Sequence, residues 1–454
     1  MKKAYPKYKH TDIPWVELIP SHWETQKGKW LFHKESRPVR EEDEVVTAFR
    51  DGEVTLRKNR REDGFTFSLK EIGYQGIRKG DLVIHGMDAF AGAIGVSDSD
   101  GKSSPVYNAC TLKRPGDQWY FCHLIREMSR SGFIQSLAKG IRERSTDFRF
   151  ATFGEQLLPV PSLPEQRSIA AFLDHKCALI DRFIEKKTRL IELLKEQKQA
   201  IINRAVTKGL DSEVPMKPSG IDWLGDIPAH WEVVQLRRLI RKIEQGWSPL
   251  CENRIANKNE WGVLKVGCVN GLVFNSNEHK TLPANLNPKQ EYEISQGDVL
   301  MSRANTKELL GSASLVKDVR SKLLLCDKLY RLHLKNNVDK EFFVYSLRNH
   351  STRIQIESSA TGASDSMQNI SQGKVLSLWL TIPSKKEQKE ILYYINQELT
   401  RISSLGSKIE KELNILQEYK ITLIAEAVTG KIDVREWQAK DENFLSTPQN
   451  QEIV

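Results

Sequence analysis

The side chains best placed to do chemistry in this chain are clusters of donors suited to a polyanion. In the first part, Lys58, Asn59, Arg60 and Arg61 follow Arg57 directly, Arg142, Arg144 and Arg149 form a second basic group, and Ser104, Tyr107 and Asn108 bring hydroxyl and amide groups into one loop. The second part repeats the mixture with Gln245 and Trp247, with Arg303, Asn305, Thr306 and Lys307, and with Ser364, Gln368 and Asn369. Arginine pairs with guanine and Asn or Gln with adenine at base edges in the major groove, whereas Lys and Arg on phosphates give affinity without sequence preference. A charge run taken alone is usually a solvated face, so these residues are candidates for contact with nucleic acid.

Catalytic patterns are missing. Gly95 to Ser103 superficially has the form of a phosphate-binding loop, but five residues separate Gly95 from Gly101, and Asp98 and Asp100 would set carboxylates against the phosphates. There is no G-x-S-x-G elbow, no H-E-x-x-H, and no Asn-Pro-Pro-aromatic or Asp-Pro-Pro-aromatic motif to hold a flipped base. The six cysteines, Cys110, Cys122, Cys177, Cys251, Cys268 and Cys326, form no CxxC pair and have no histidine partners at metal spacing. We therefore expect no catalytic residue and no metal site in this chain.

The formal net charge of +9 favours a polyanionic partner, though modestly for 454 residues. A hydrophobic content of 39% is ordinary for a soluble protein, and the length allows two or more domains. No apolar run approaches the ~20 residues that cross a bilayer. Met1-Lys2-Lys3-Ala4-Tyr5-Pro6 lacks a signal-peptide stretch, so a cytoplasmic location without membrane contact is expected.

The elements that must position these clusters occur twice. Ile13-Pro14-Trp15 through Ile19-Pro20-Ser21-His22-Trp23-Glu24 returns 208 residues later as Ile221-Asp222-Trp223 through Ile227-Pro228-Ala229-His230-Trp231-Glu232. Gly80-Asp81 returns as Gly297-Asp298, and Glu165-Gln166 as Glu387-Gln388, with offsets of 217 and 222. Constant frames thus enclose two blocks that differ in length and content, an arrangement that implies pseudo-two-fold symmetry and two related but distinct reading surfaces.

From Pro164 to about Lys208 the apolar positions Leu173, Ile180, Leu194 and Ile201, with Ile184 and Ile191, form a stripe interrupted at Lys187 and Lys198. The second copy carries Ile395, Ile402, Ile409, Leu416 and Leu423 in the same register. Pro161 and Pro164 mark the first start, and Gly209 and Gly430 stand where C-terminal caps belong. A helix of about 44 residues is about 65 Å long and cannot bury an apolar face alone, so the two are expected to pack antiparallel as a coiled coil.

The blocks between read as mixed α/β, with short strands at Asp81 to His85, Gly262 to Val266 and Tyr330 to Leu334, and shorter helices at Trp119 to Ser131 and Lys340 to Ser358. Gly80-Asp81 and Gly297-Asp298 fit turns that launch buried strands, the aspartate accepting from local amides. The expected fold class is α+β: a first mixed α/β domain over residues 1–160, a long helix within 161–212, a second such domain over 213–382, a long helix within 383–436, and a loose tail at 437–454.

The order of an Ile-Pro-x-His-Trp-Glu entry box, a variable block with Gly-Asp-Leu/Val, a Pro-x-x-x-Glu-Gln helix start at Pro161 to Gln166 and Pro383 to Gln388, and a helix closing on Ala-Val-Thr at Ala205 to Thr207 and Ala427 to Thr429 resembles the specificity subunit of type I restriction-modification enzymes. The resemblance covers almost the whole chain twice. It implies two target-recognition domains, each reading one half of a bipartite, asymmetric sequence in double-stranded DNA, with the helices setting the spacer and docking two modification subunits. It further implies that those subunits carry S-adenosylmethionine and methylate adenine, that restriction subunits add translocation and cleavage dependent on ATP and Mg, and that this chain needs no cofactor of its own. A two-headed adaptor binding protein or RNA would share the duplication and the rod. A self-sufficient nuclease would instead turn over with metal as the purified chain alone.

Overall fold

The computed structural model describes residues 3–60, 71–137, 148–364 and 367–438. Two units emerge: Met1–Lys187 with Lys411–Val454, and Thr188–Glu410. Each is built on the same plan.

An entry hairpin comes first, Tyr8–Ile13 with Val16–Pro20 in one unit and Met216–Pro218 with Asp226–Pro228 in the other. The strand after the His-Trp box then pairs antiparallel with the strand just before the long helix: Glu24–Lys27 with Leu157–Val160, and Glu232–Gln235 with Trp379–Ile382. A four-stranded antiparallel sheet follows in each, in the orders Phe32–Lys34, Tyr107–Leu112, Leu82–His85, Ile94–Val96 and Ile240–Gln245, Leu329–Leu334, Val299–Ser302, Ala313–Leu315. The expected strands at Asp81, Gly262 and Tyr330 are present as Leu82–His85, Gly262–Leu264 and Leu329–Leu334. The aspartates before the central strands accept from the amides of Arg78 (2.8 Å) and Ser295 (3.0 Å), with Gly80 and Gly297 in the left-handed region that glycine tolerates best.

The helix Gln118–Arg130 is capped by Asp117, whose side chain accepts from Trp119 and Tyr120. In the second unit the stretch expected as one helix from Lys340 to Ser358 is two, Lys340–Leu347 and His350–Ser359. The break has a local cause. Asn349 takes an extended backbone and caps the second piece through Thr352, while Arg348 turns inward to the carbonyls of Ala313, Val269 and Gly271.

Aromatic rings dominate both cores, each burying on the order of 150–250 Å². Trp23, Phe32, Tyr120, Phe121 and Phe153 fill one and Trp231, Tyr330, Phe342 and Phe343 the other. Unlike these common cores, the added modules differ. The first unit carries two small sheets around Val46, Val54 and Ile77, whereas the second carries a three-stranded sheet, with one parallel pair, over Leu264, Leu300 and Leu324. Four of the cysteines are buried free thiols, packed as small hydrophobes.

The long helices are Leu163–Lys208 and Lys385–Val428, both closed by glycines with positive φ, Gly209 and Gly430. Ser162 and Ser384 precede them with a glutamate three residues on, the pattern of an N-terminal capping box. Ser384 Oγ accepts from the Glu387 amide (3.3 Å) and Ser162 Oγ donates to the Glu165 carboxylate (3.3 Å), while both glutamate side chains face the entry boxes. Glu165 accepts from Trp23 Nε1 at 3.0 Å and meets His22 Nε2 at 3.0 Å; Glu387 accepts from Trp231 Nε1 at 2.9 Å and meets His230 Nε2 at 2.9 Å. The following glutamines tie the helix starts to the shorter helices, Gln166 accepting from the Asp117 amide and Gln388 from the Asp339 amide.

Within the first unit the helices are antiparallel: Asp181 meets Lys420 at 2.6 Å while Lys187 meets Glu412 at 2.6 Å. Within the second, Lys198 reaches Ser403 at 2.8 Å, so both lysines that interrupt the stripe cross to the partner helix. Leu173, Ile180, Leu194, Ile395, Ile402, Ile409 and Leu423 are buried as expected, and Ile184, Ile191 and Leu416 are half-buried. Ile201 is a correction: it stays partly exposed, and Ile202 is fully buried in its place. A straight helix drifts ~20° per heptad against a 3.5-residue repeat, so over the four heptads from Leu173 the buried line moves by about one residue.

Ile202→Ala should therefore cost about 2–4 kcal/mol and Ile201→Ala less than about 1 kcal/mol, as read by denaturant unfolding. Burial pushes the Glu165 carboxyl up, but the bonds from Trp23 and His22 more than offset this and hold it below the usual glutamate range. A carboxyl held low stabilises fully above its unfolded pKa and loses that contribution as the pH falls through the folded value. Glu165→Gln should accordingly melt below the wild type at neutral pH, and the gap should close as acid melts descend through that window.

Candidate nucleic-acid interface

Two backbone hydrogen bonds recur along the edge formed by the ends of the two inner strands of each four-stranded sheet. In the second unit the Arg303 amide donates to Lys328 (2.8 Å) and its carbonyl accepts from Ile370 (3.0 Å). In the first, Gly86 donates to Val106 (2.9 Å) and accepts from Phe148 (3.0 Å). Three segments therefore meet at the same place in both: the turn after the central strand, the start of the next strand, and the residues before a short helix, Phe150–Gly154 or Gln372–Ser377.

In the second unit this edge gathers most of the candidates of its block. Ala304 and Asn305 pair with Asn369 and Gln368, and the Thr361–Ser364 strand completes a three-stranded sheet. Asn305 is buried, its amide donating to Asn270 Oδ1 (3.0 Å) while its oxygen accepts from the Thr306 amide (2.9 Å). The loop beyond is clasped by Arg353, which donates to the carbonyls of Lys307, Glu308 and Leu310, leaving Lys307 exposed. Gln245 pairs across the sheet with Tyr330, and Trp247 is held by Leu325 O (3.0 Å) and covered by the Lys289 ammonium 4.9 Å from its ring centre. The Ser364 backbone ends the hairpin strand.

The first unit distributes its candidates differently. Arg149 is exposed beside Phe148 at the recurrent edge. Asn108 is buried there, its amide donating to Phe148 O (3.4 Å) and its oxygen accepting from Phe150 N (3.3 Å). Tyr107 is also buried, packed edge-on against His85, and its hydroxyl is pushed up to about 12 by burial. Ser104 closes the turn before it, accepting from the Tyr107 amide. Lys58, Asn59 and Arg60 lie instead on the turn after the strand Val54–Leu56, where local partners engage them: Lys58 with Glu44 (2.5 Å), Asn59 with Thr55 (2.8 Å), and Arg60 with Asp51 (2.7 Å) and the Phe49 ring (4.4 Å). Arg61, Arg142 and Arg144 lie outside the described residues.

Some residues of this edge were not among the sequence candidates. Tyr330 donates its hydroxyl to Ile370 O (3.1 Å), the counterpart of the Asn108 bond to Phe148 O. Gly86 and Met87 occupy the position of Arg303 and its neighbour. A sequence signal existed: Ala138-x-Gly140 and Ala360-x-Gly362 stand 222 residues apart, the same offset as the helix starts.

The fold and this edge define a class: a duplicated recognition protein, in which one frame presents two different sets of polar loops. Residues 228–415 match the type I restriction modification DNA specificity domain. The chain is 30% identical over 222 residues to the EcoEI specificity subunit of Escherichia coli, covering 48% of this chain and 37% of that subunit. It is 25% identical over 315 residues to the MjaVIII specificity subunit of Methanocaldococcus jannaschii, covering 67% and 68%. Among solved structures, one from work on complex assembly and conformational transition of the type I R-M system is similar at a TM-score of 0.64 and 14% identity, covering 91% of this chain and 99% of that one. The HsdS subunit from Thermoanaerobacter tengcongensis is similar at a TM-score of 0.51 and 14% identity, covering 91% and 98%. Residues 228–415 thus carry a type I restriction modification DNA specificity domain, and the chain is similar to type I specificity subunits beyond that stretch. The stretch it shares with the EcoEI relative spans little more than a third of that protein's length.

Asn108→Ala should destabilise the chain by about 1–3 kcal/mol, because it leaves buried backbone groups unpaired, whereas Lys58→Ala should change stability by less than about 1 kcal/mol. Thermal melts of the two variants side by side check both.

Proposed function

We propose that this chain reads DNA, each unit taking one half of a bipartite, asymmetric site through the loops at the recurrent sheet edge. The observation that carries this reading is the edge itself: the same pair of hydrogen bonds holds Gly86 and Phe148 in one unit and Arg303 and Ile370 in the other, so one frame displays two different surfaces. Arg149 and Arg303, with Gln368 and Asn369, supply donors of the kind that meet phosphates and base edges. The surplus of positive charge supports a salt-sensitive affinity. No helix among the described residues is long and apolar enough to cross a membrane, which fits an action on cytoplasmic DNA.

The shared helices set the number of unread base pairs between the half-sites and dock two modification subunits. Methylation of adenine from S-adenosylmethionine belongs to those subunits, and translocation and cleavage driven by ATP and Mg to restriction subunits. This chain contributes recognition and geometry and no reacting group.

Single-molecule sequencing of DNA from cells expressing the modification subunit, with and without this chain, tests the reading. A two-part methylated-adenine motif with a fixed spacer should appear only with the chain present. An assembled complex that yields no motif would overturn it. In the same assay Gln368→Ala should relax one position of one half-site at a cost of about 1–3 kcal/mol, while Lys307→Ala should weaken binding evenly across sequences.

A further inference from the structure

Leu250 is 91% exposed, yet its loop is clamped at both ends. Before it, Gly246 passes so close to the Leu325 carbonyl that a Cβ there would lie 2.1 Å from the oxygen. Trp247 donates to the same carbonyl (3.0 Å), Ser248 bonds Asp327 Oδ1 (2.5 Å), and Pro249 fixes the backbone angle immediately ahead of the leucine. After it, Glu252 exchanges both backbone bonds with Thr281 (3.0 and 3.3 Å). The leucine is thus held out in water by ordered structure on either side, at a fixed place on the surface.

Its position and surroundings indicate what it meets. The turn Leu325–Lys328 that anchors this loop also anchors Arg303, through Lys328 O, so Leu250 stands beside the recognition edge of the second unit. Lys265, Lys280 and Lys328 border the hollow under the loop. Asp327, bonded to Ser248, shares that hollow and Glu278 stands 3.9 Å from Lys265, so the lysines exceed the carboxylates by one. A single apolar tip beside them is poorly suited to an apolar protein face, which needs a contiguous patch, and suited to a duplex. The phosphates answer the lysines, and the thymine C5 methyl is the one apolar group a base pair offers in the major groove.

We propose that Leu250 is a specificity-determining residue of the second unit, and that it recognises a thymine methyl in that unit's half-site. This rests on the DNA-reading function proposed above.

The test uses the full chain assembled with its modification subunits. The methylated motif of the wild-type complex comes first, and its absence would overturn the underlying reading. With the motif known, duplexes carrying uracil for thymine, one position at a time in the second half-site, are titrated against wild type and Leu250→Ala. One substitution should weaken wild-type binding about three- to tenfold, the loss of one methyl contact. Leu250→Ala should bind the thymine and uracil duplexes alike, methylate sites with any base at that position, and melt at the wild-type temperature. The inference alone is overturned if the motif is present but the half-site has no thymine, if wild type is indifferent to every uracil, or if Leu250→Ala keeps the discrimination. A rise in 2-aminopurine fluorescence beside the site on wild-type binding, lost in the variant, would also overturn it, since it marks a wedge between bases.

Discussion

Each unit depends on one buried or half-buried carboxylate. Glu165 and Glu387 sit in the first turns of the long helices, where the helix dipole favours negative charge, and each binds the indole and imidazole of its own entry box more than 140 residues away in sequence. That contact fixes where the long helix starts relative to the sheet before it. The adjoining glutamines extend the hold to the shorter helices through the amides of Asp117 and Asp339. The glycine that ends the other long helix closes over the same tryptophan: a Cβ at Gly430 would stand 3.0 Å from the Trp23 ring and one at Gly209 3.4 Å from Trp231. The two locks differ in degree, since the Glu165 side chain is 4% exposed and that of Glu387 23%.

With the frame held this way, the recognition edge is free to vary. Only backbone bonds recur there, those of Gly86 with Val106 and Phe148 and of Arg303 with Lys328 and Ile370, and backbone bonds place no demand on side-chain identity. The supporting side chain is different in each unit, an asparagine amide in one and a tyrosine hydroxyl in the other, yet both hold the equivalent carbonyl. A frame that tolerates such exchange can present new polar loops without disturbing its core, which is the requirement for a protein whose targets differ between its two halves.

Much of this was legible in the chain itself. The duplicated boxes, the long helices with their proline and glycine ends, the antiparallel pairing and the Gly-Asp turns follow from local pattern and from apolar period, which are properties of neighbouring residues. What failed to show was whatever depends on distant partners. Asn108 and Asn369 look alike as loop amides, but the carbonyl of Phe148 and the amide of Phe150, some 40 residues on, draw the first inward. Lys58 and Arg60 look like free cations until the fold sets Glu44 and Asp51 against them.

The sequence by itself determined the repeat, the α+β class, the ends of the long helices and the pool of polar residues from which a reading surface could be drawn. Tertiary structure decided which members of that pool face outward and which are taken up by the fold. It moved the buried line from Ile201 to Ile202, because a 3.6-residue helix drifts against a 3.5-residue stripe. It also broke the stretch from Lys340 to Ser358 at Asn349, because the inward turn of Arg348 and the Asn349 cap outweigh continuation of a single helix. The drift accumulates over many turns, and the carbonyls that draw Arg348 inward lie 35 to 79 residues away, so local spacing carries neither; the Asn349 cap alone is local.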